Sequence, residues 1–150
     1  MQRREFLVLS GVTVLGATTG CIGGEAAPEE PEYDDWFSNV PHFDGFEDHT
    51  DDNEVRVMVG AGDNGFLFDP PAITVTPGTT VVWEWTGVGG EHVVAETNGD
   101  WQNPQGLTAT EGHTWSREFS ESDAGTHLYE CWPHTSLGMK GGVFVDAHAE

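Results

Sequence analysis

A chain of 150 residues has room for one folded domain plus terminal segments. It carries 26 Asp and Glu against five Lys and Arg, a formal charge of −21. No basic patch is present to meet phosphates, so nucleic-acid binding is excluded.

Residues 1–20 read as an export signal. Gln2-Arg3-Arg4-Glu5-Phe6-Leu7 resembles a twin-arginine motif, and an apolar run from Phe6 to Ala17 follows. That run is too short and too rich in Gly, Ser and Thr for a membrane span, which needs about 20 apolar residues. Thr18-Thr19-Gly20-Cys21 resembles a lipobox, with Thr18 where Leu is more usual. Cys21 then becomes the lipidated first residue of the mature chain; an uncleaved N-terminal anchor is the alternative. Both place the domain outside the cell and tethered to the membrane.

Loss of residues 1–20 removes Arg3, Arg4 and Glu5 and leaves 25 acidic side chains against three basic ones, Arg56, Arg117 and Lys140. Such a charge destabilises a compact state by self-repulsion unless salt screens it. At molar salt the Debye length falls to about 3 Å and the repulsion largely vanishes. Acid spread along the whole chain therefore reads as an extreme-halophile origin.

Residues 21–53 form a lipid-anchored acidic linker and N-terminal segment. Low hydrophobicity and high charge predict disorder over 22–35. Residues 36–54 mix Trp36, Phe37, Val40, Phe43 and Phe46 with acids. Those aromatics are predicted to lie against the folded domain.

From Glu54 the pattern turns to β. Val55 to Val59, Phe66 to Phe68, Ala72 to Val75 and Thr79 to Trp85 read as strands, with turn signals at Pro70-Pro71 and Pro77-Gly78. His92 to Ala95, His113 to Phe119, Thr126 to Tyr129 and Gly142 to Val145 complete about eight. No segment shows a long helical period. The fold class is all-β, a Greek-key sandwich or barrel.

Between the last two strands lies Cys131-Trp132-Pro133-His134-Thr135-Ser136-Leu137-Gly138-Met139, with the spacing C-x₂-H-x₄-M. A thiolate, two imidazoles and a weak axial thioether form the ligand set of a blue-copper electron-transfer site. Structural zinc sites favour Cys and His without Met. Cys21 and Cys131 each sit in a motif of their own, so no disulfide joins them. Among the other histidines, His42, His49 and His148 read as solvated surface residues. His127 shares strand parity with Cys131, but four strand residues span about 13 Å, too far for one metal; it reads as a core histidine or one behind the ligands. His113 reads as a turn residue. His92, after the Gly-rich Gly87-Val88-Gly89-Gly90, is the best placed for the missing imidazole.

This loop resembles that of the plastocyanin-like cupredoxins, their haloarchaeal members most of all. The likeness covers roughly residues 54–146, with a tail at 147–150. It implies the cupredoxin version of the β-sandwich and one type 1 copper ion held by His92, Cys131, His134 and Met139. It further implies a non-enzymatic carrier of single electrons between membrane-associated redox proteins, monomeric and lipid-anchored on the outer face of the cell membrane. A carrier that delivers copper and not electrons is the alternative, and it requires a more exposed site. Two departures stand out. Val93 follows His92 where the family often has Asn, which ties the ligand loops together. Glu130 precedes Cys131 where plastocyanins often have Tyr, which leaves the edge of His134, near Trp132, Pro133, Leu137, Gly138 and Gly89-Gly90, as the expected docking patch.

Overall fold

The computed structural model describes residues 30–148. The export signal, the lipobox with Cys21 and most of the linker lie outside the described residues, as do residues 149 and 150. Among the described residues nine strands follow in chain order: β1 (Glu47–Asp48), β2 (Glu54–Ala61), β3 (Leu67–Asp69), β4 (Ala72–Val75), β5 (Thr79–Trp85), β6 (Ala95–Glu96), β7 (Thr114–Phe119), β8 (Gly125–Glu130) and β9 (Lys140–Val145). They form a five-stranded sheet in the order β1-β4-β9-β8-β6 and a four-stranded sheet in the order β3-β2-β5-β7. Parallel pairs β2/β5 and β4/β9 sit beside antiparallel pairs β5/β7 and β8/β9. The all-β sandwich expected from the strand pattern is the observed fold. Among the described residues, no helix is long and apolar enough to cross a membrane.

Period-two alternation builds the core between the sheets. Val55, Val57 and Val59 of β2 point inward while Arg56 points out, and Val81, Trp83 and Trp85 of β5 do the same. They meet Ile73, Val75, Tyr129, Val143 and Val145 from the other sheet. Each such side chain contributes about 1.5–3 kcal/mol when fully buried. β9 shows no alternation because both its faces are covered. Val143 and Val145 join the core, while Gly142 on the opposite face lies against Phe37 and Phe46.

That second cover is the N-terminal segment, which packs as a strap on the outside of the five-stranded sheet. Tyr33, Trp36, Phe37, Val40, Phe43 and Phe46 cluster over Ala72 and Leu128. Phe37 and Phe43 stack at 4.1 Å, and Tyr33 and Phe46 meet Phe37 edge-on. The aromatics of 36–54 thus lie where expected. The linker expected over 22–35 ends sooner: Glu32 N–H donates to Thr126 Oγ1 at 2.9 Å and Tyr33 enters the aromatic cluster.

Four further local expectations change. The strand expected over His92 to Ala95 shrinks to β6, because Val94 bonds with Asn103 and not with a continuous ladder. β1 went unseen because its two residues are acidic and exposed, a composition depleted in strands. The short 3₁₀ helices Glu121–Asp123 and Trp132–Leu137 are too brief to leave a periodic signal. His42 is not a solvated histidine: it is half-buried and its Nε2–H donates to Phe68 O at 2.8 Å, pinning the strap to β3.

Candidate metal centre

Cys131 directly follows β8 and is fully buried. The 3₁₀ helix Trp132–Leu137 starts directly after it, with Pro133 in its first turn and Gly138 as a left-handed cap at φ 95°. Backbone bonds close the loop: Cys131 N–H to Met139 O at 3.1 Å, His134 N–H to Cys131 O at 3.0 Å and Met139 N–H to His134 O at 3.2 Å. Thr135 Oγ1 lies 2.9 Å from Cys131 O and donates to Glu130 Oε1 at 3.0 Å. The short spacing of the motif therefore becomes one compact turn. It brings Met139 into the same core as Cys131 and leaves His134 half-buried.

His92 arrives from the other side. Its backbone is fixed by paired bonds with Thr108, at 2.9 and 3.1 Å, and by the Trp85 indole N–H, which donates to His92 O at 3.2 Å. Its Nε2 lies 2.7 Å from Val88 O. A carbonyl only accepts, so Nε2 carries the proton and Nδ1 keeps its lone pair. That Nδ1 stands 3.6 Å from Cys131 Sγ, and His134 Nδ1 stands 3.5 Å from the same sulfur. The three atoms lie within 4.8 Å of one another, the only such group of His, Cys, Asp or Glu among the described residues. The two rings meet at 5.0 Å and 65°, and His134 leans on Phe66 at 4.5 Å.

The electrostatics suit a cation at this point. Burial pushes the Cys131 thiol up to about 11, opposed in part by the backbone N–H groups of Val93 and His134. A thiolate here needs a positive partner. Burial also holds His92 below its ordinary range, with His134 nearby acting in the same direction, so its imidazole is a neutral donor. One soft thiolate, two imidazole nitrogens and a buried thioether fit copper better than zinc.

The remaining histidines stand apart. His127 Nε2 bonds to Asp123 O, and its ring packs on Trp101 and Phe119, so it is a core-edge residue. His113 follows a turn and meets Trp85 edge-on. His49 sits between Glu47 and Asp52, and His148 is exposed. Trp132 and Leu137 of the expected docking patch are about half exposed, at 51% and 53%, whereas Gly138 is buried under Asn39 and is no part of that surface. Sequence reasoning missed Thr108 and Val88, which position His92, and Asn103, which holds Val94 two residues further on. Only Asn103 carried a signal, the turn-forming Asn103-Pro104.

Comparison with known proteins bears on the same residues. The pattern of the copper-binding proteins of the plastocyanin/azurin family matches residues 55–146. Halocyanin of Natronomonas pharaonis is 42% identical over 97% of this chain and 98% of its own. Plastocyanin of Scenedesmus fuscus is 30% identical over 61% of this chain and 99% of its own. The oxidised plastocyanin of Dryopteris crassirhizoma superposes with a TM-score of 0.47 at 25% identity, covering 61% of this chain and 99% of that one.

Proposed function

The chain belongs to the plastocyanin/azurin family of copper-binding proteins, whose blue-copper members are electron carriers, and from that membership we propose how this one works. His92, Cys131, His134 and Met139 hold a single type 1 copper ion. The convergence of His92 Nδ1 and His134 Nδ1 on the buried Cys131 sulfur carries this reading. Copper bound there supplies a one-electron couple between Cu(II) and Cu(I).

The protein's own part is to hold one donor geometry through that couple. Val88 O fixes the His92 tautomer, and the hydrogen-bonded turn from Cys131 to Met139 fixes the other donors. Burial of His92, Cys131 and Met139 excludes water, so little reorganises when an electron moves. His134 is half-buried and lies between the exposed Trp132 and Leu137 in sequence, so its edge is the electron's exit. A carrier that hands over metal needs an open, exchangeable site, and three buried ligands speak against it.

The partners are membrane-associated redox proteins. The chain is exported, lipid-anchored at Cys21 on the outer face of the membrane, monomeric, and adapted to high salt; residues 1–20 and the charge of −21 support this. The test is copper titration of the purified domain with its visible spectrum. The wild type should develop an intense blue thiolate-to-copper band, and Cys131→Ser should not. A variant that stayed blue would overturn the assignment.

A further inference from the structure

Glycine surrounds Met139: the run is Gly138-Met139-Lys140-Gly141-Gly142. Such a backbone has little stiffness of its own, yet it leads the chain from His134 through Met139 into β9. The barrel supports only its inner side. On the outer side, Leu128 of β8 and the strap supply the support. The Asn39 carbonyl stands where a side chain at Gly138 would go, and Asn39 Nδ2 reaches Thr135 O and Ser136 O, each at 3.4 Å. The Trp36 indole N–H donates to Gly141 O at 3.2 Å. Lys140 Nζ donates to Trp36 O at 3.2 Å and sits 4.7 Å from the centre of its ring. Phe37 and Phe46 close over Gly142. These strap residues lie before residue 55, where the family match begins.

We propose that the strap from Trp36 to Phe46 is a positioning element for the metal loop, with Asn39 and Trp36 clamping the backbone on both sides of Met139. The proposal rests on His134 and Met139 being ligands. Carbonyls 135, 136 and 141 are the points held, so the clamp sets where His134 and Met139 stand relative to Cys131. Asn39 and Trp36 are positioning residues: neither belongs to the cluster of donor atoms around Cys131.

The double variant Trp36→Phe with Asn39→Ala removes the clamping donors and keeps a ring under Lys140. Amide hydrogen exchange is read first in the metal-free protein. Exchange at Gly138 and Met139 should speed up by about tenfold, the effect of one or two lost hydrogen bonds, while Val57 and Trp83 in the opposite sheet keep their rates. The copper-loaded variant should then show a changed reduction potential and a changed ratio of its visible bands. Unchanged exchange in the loop overturns the proposal. So does equal acceleration across the barrel, which marks a role in global stability alone, and so does a loosened loop with wild-type potential and spectrum. If the double variant does not fold, Asn39→Ala alone is read in the same way. A wild-type protein without a blue band would sink the ligand assignment, while the exchange data would still decide whether the strap holds the loop.

Discussion

Two glycines that share a backbone conformation but not a neighbourhood give a sharp test of the packing around the loop. Gly138 has φ 95° and Gly112 has φ 83°, both left-handed. Alanine at either position incurs the left-handed penalty of about 1–2 kcal/mol. At Gly112 the new methyl meets nothing within 4 Å. At Gly138 it drives into the Asn39 carbonyl, with Pro41 Cδ at 3.5 Å. Overpacking of that kind adds about 1–3 kcal/mol. Gly138→Ala should therefore cost about 1–3 kcal/mol more than Gly112→Ala, a difference in the folding constant of roughly 5- to 150-fold. The cost has a ceiling, because the strap can lift away and relieve the clash at the expense of its own docking. Urea unfolding of the two metal-free variants beside wild type measures the difference, and the slope of each curve shows whether the strap detaches before the barrel. Equal midpoints for the two variants would refute the reasoning, since they would mean that Asn39 does not bear on Gly138.

Other outcomes follow from the same structure. Met139→Leu should keep the blue colour and raise the reduction potential, and Met139→Gln, with a harder oxygen, should lower it; identical potentials by voltammetry would remove Met139 from the site. Dilution of salt should lower the thermal midpoint, because the Debye length grows from about 3 Å at 1 M to about 10 Å at 0.1 M and few basic side chains offset the acid; a flat midpoint would refute the high-salt reading. Cys21→Ala should release the folded, copper-binding domain from membranes, and retention in the membrane fraction would favour an uncleaved anchor. Burial lowers the basicity of His49, but its bonds to Asp52 and Glu47 outweigh that and raise it. Its contribution is therefore fully present below about pH 6.5, the unfolded value, and is lost as pH rises through the higher folded one. His49→Gln should flatten that part of the stability profile, and an unaltered profile would remove His49 from it.

The barrel was legible because its strands alternate or bury both faces, and turn residues separate them. Three of the four proposed ligands were legible because they occupy nine consecutive residues, where spacing alone fixes proximity. His92 was harder. It lies 39 residues from Cys131, and what positions it is mostly backbone: the Thr108 pairing and the Val88 carbonyl. Backbone partners leave no trace in residue identity. The strap was half visible. Its aromatics required cover, but that the cover would be Gly142 and the outside of the metal loop depended on a third dimension that composition does not carry. His42 misled because a histidine among acids looks solvated, and only the fold brings Phe68 O within reach.

The place of β9 in its sheet has a consequence for the order of assembly. β9 is the last strand in the chain, yet it lies in the middle of its sheet, with β4 on one side and β8 on the other. Until it arrives, β4 has only the two-residue β1 beside it, and β8 has only the equally short β6. The four-stranded sheet has no such dependence, since β2, β3, β5 and β7 are all complete by residue 119. Synthesis therefore yields one sheet early and leaves the other waiting on residues 140–145. Long-range pairing of this kind is slow, because a large loop must close before any contact rewards it. The strap waits as well, since Gly141 and Gly142, on which it docks, belong to that final strand. The strap's aromatics, made before any strand of either sheet, are thus among the last to be covered. In the interval, Trp36, Phe37 and Phe43 are open to any chaperone that binds exposed rings.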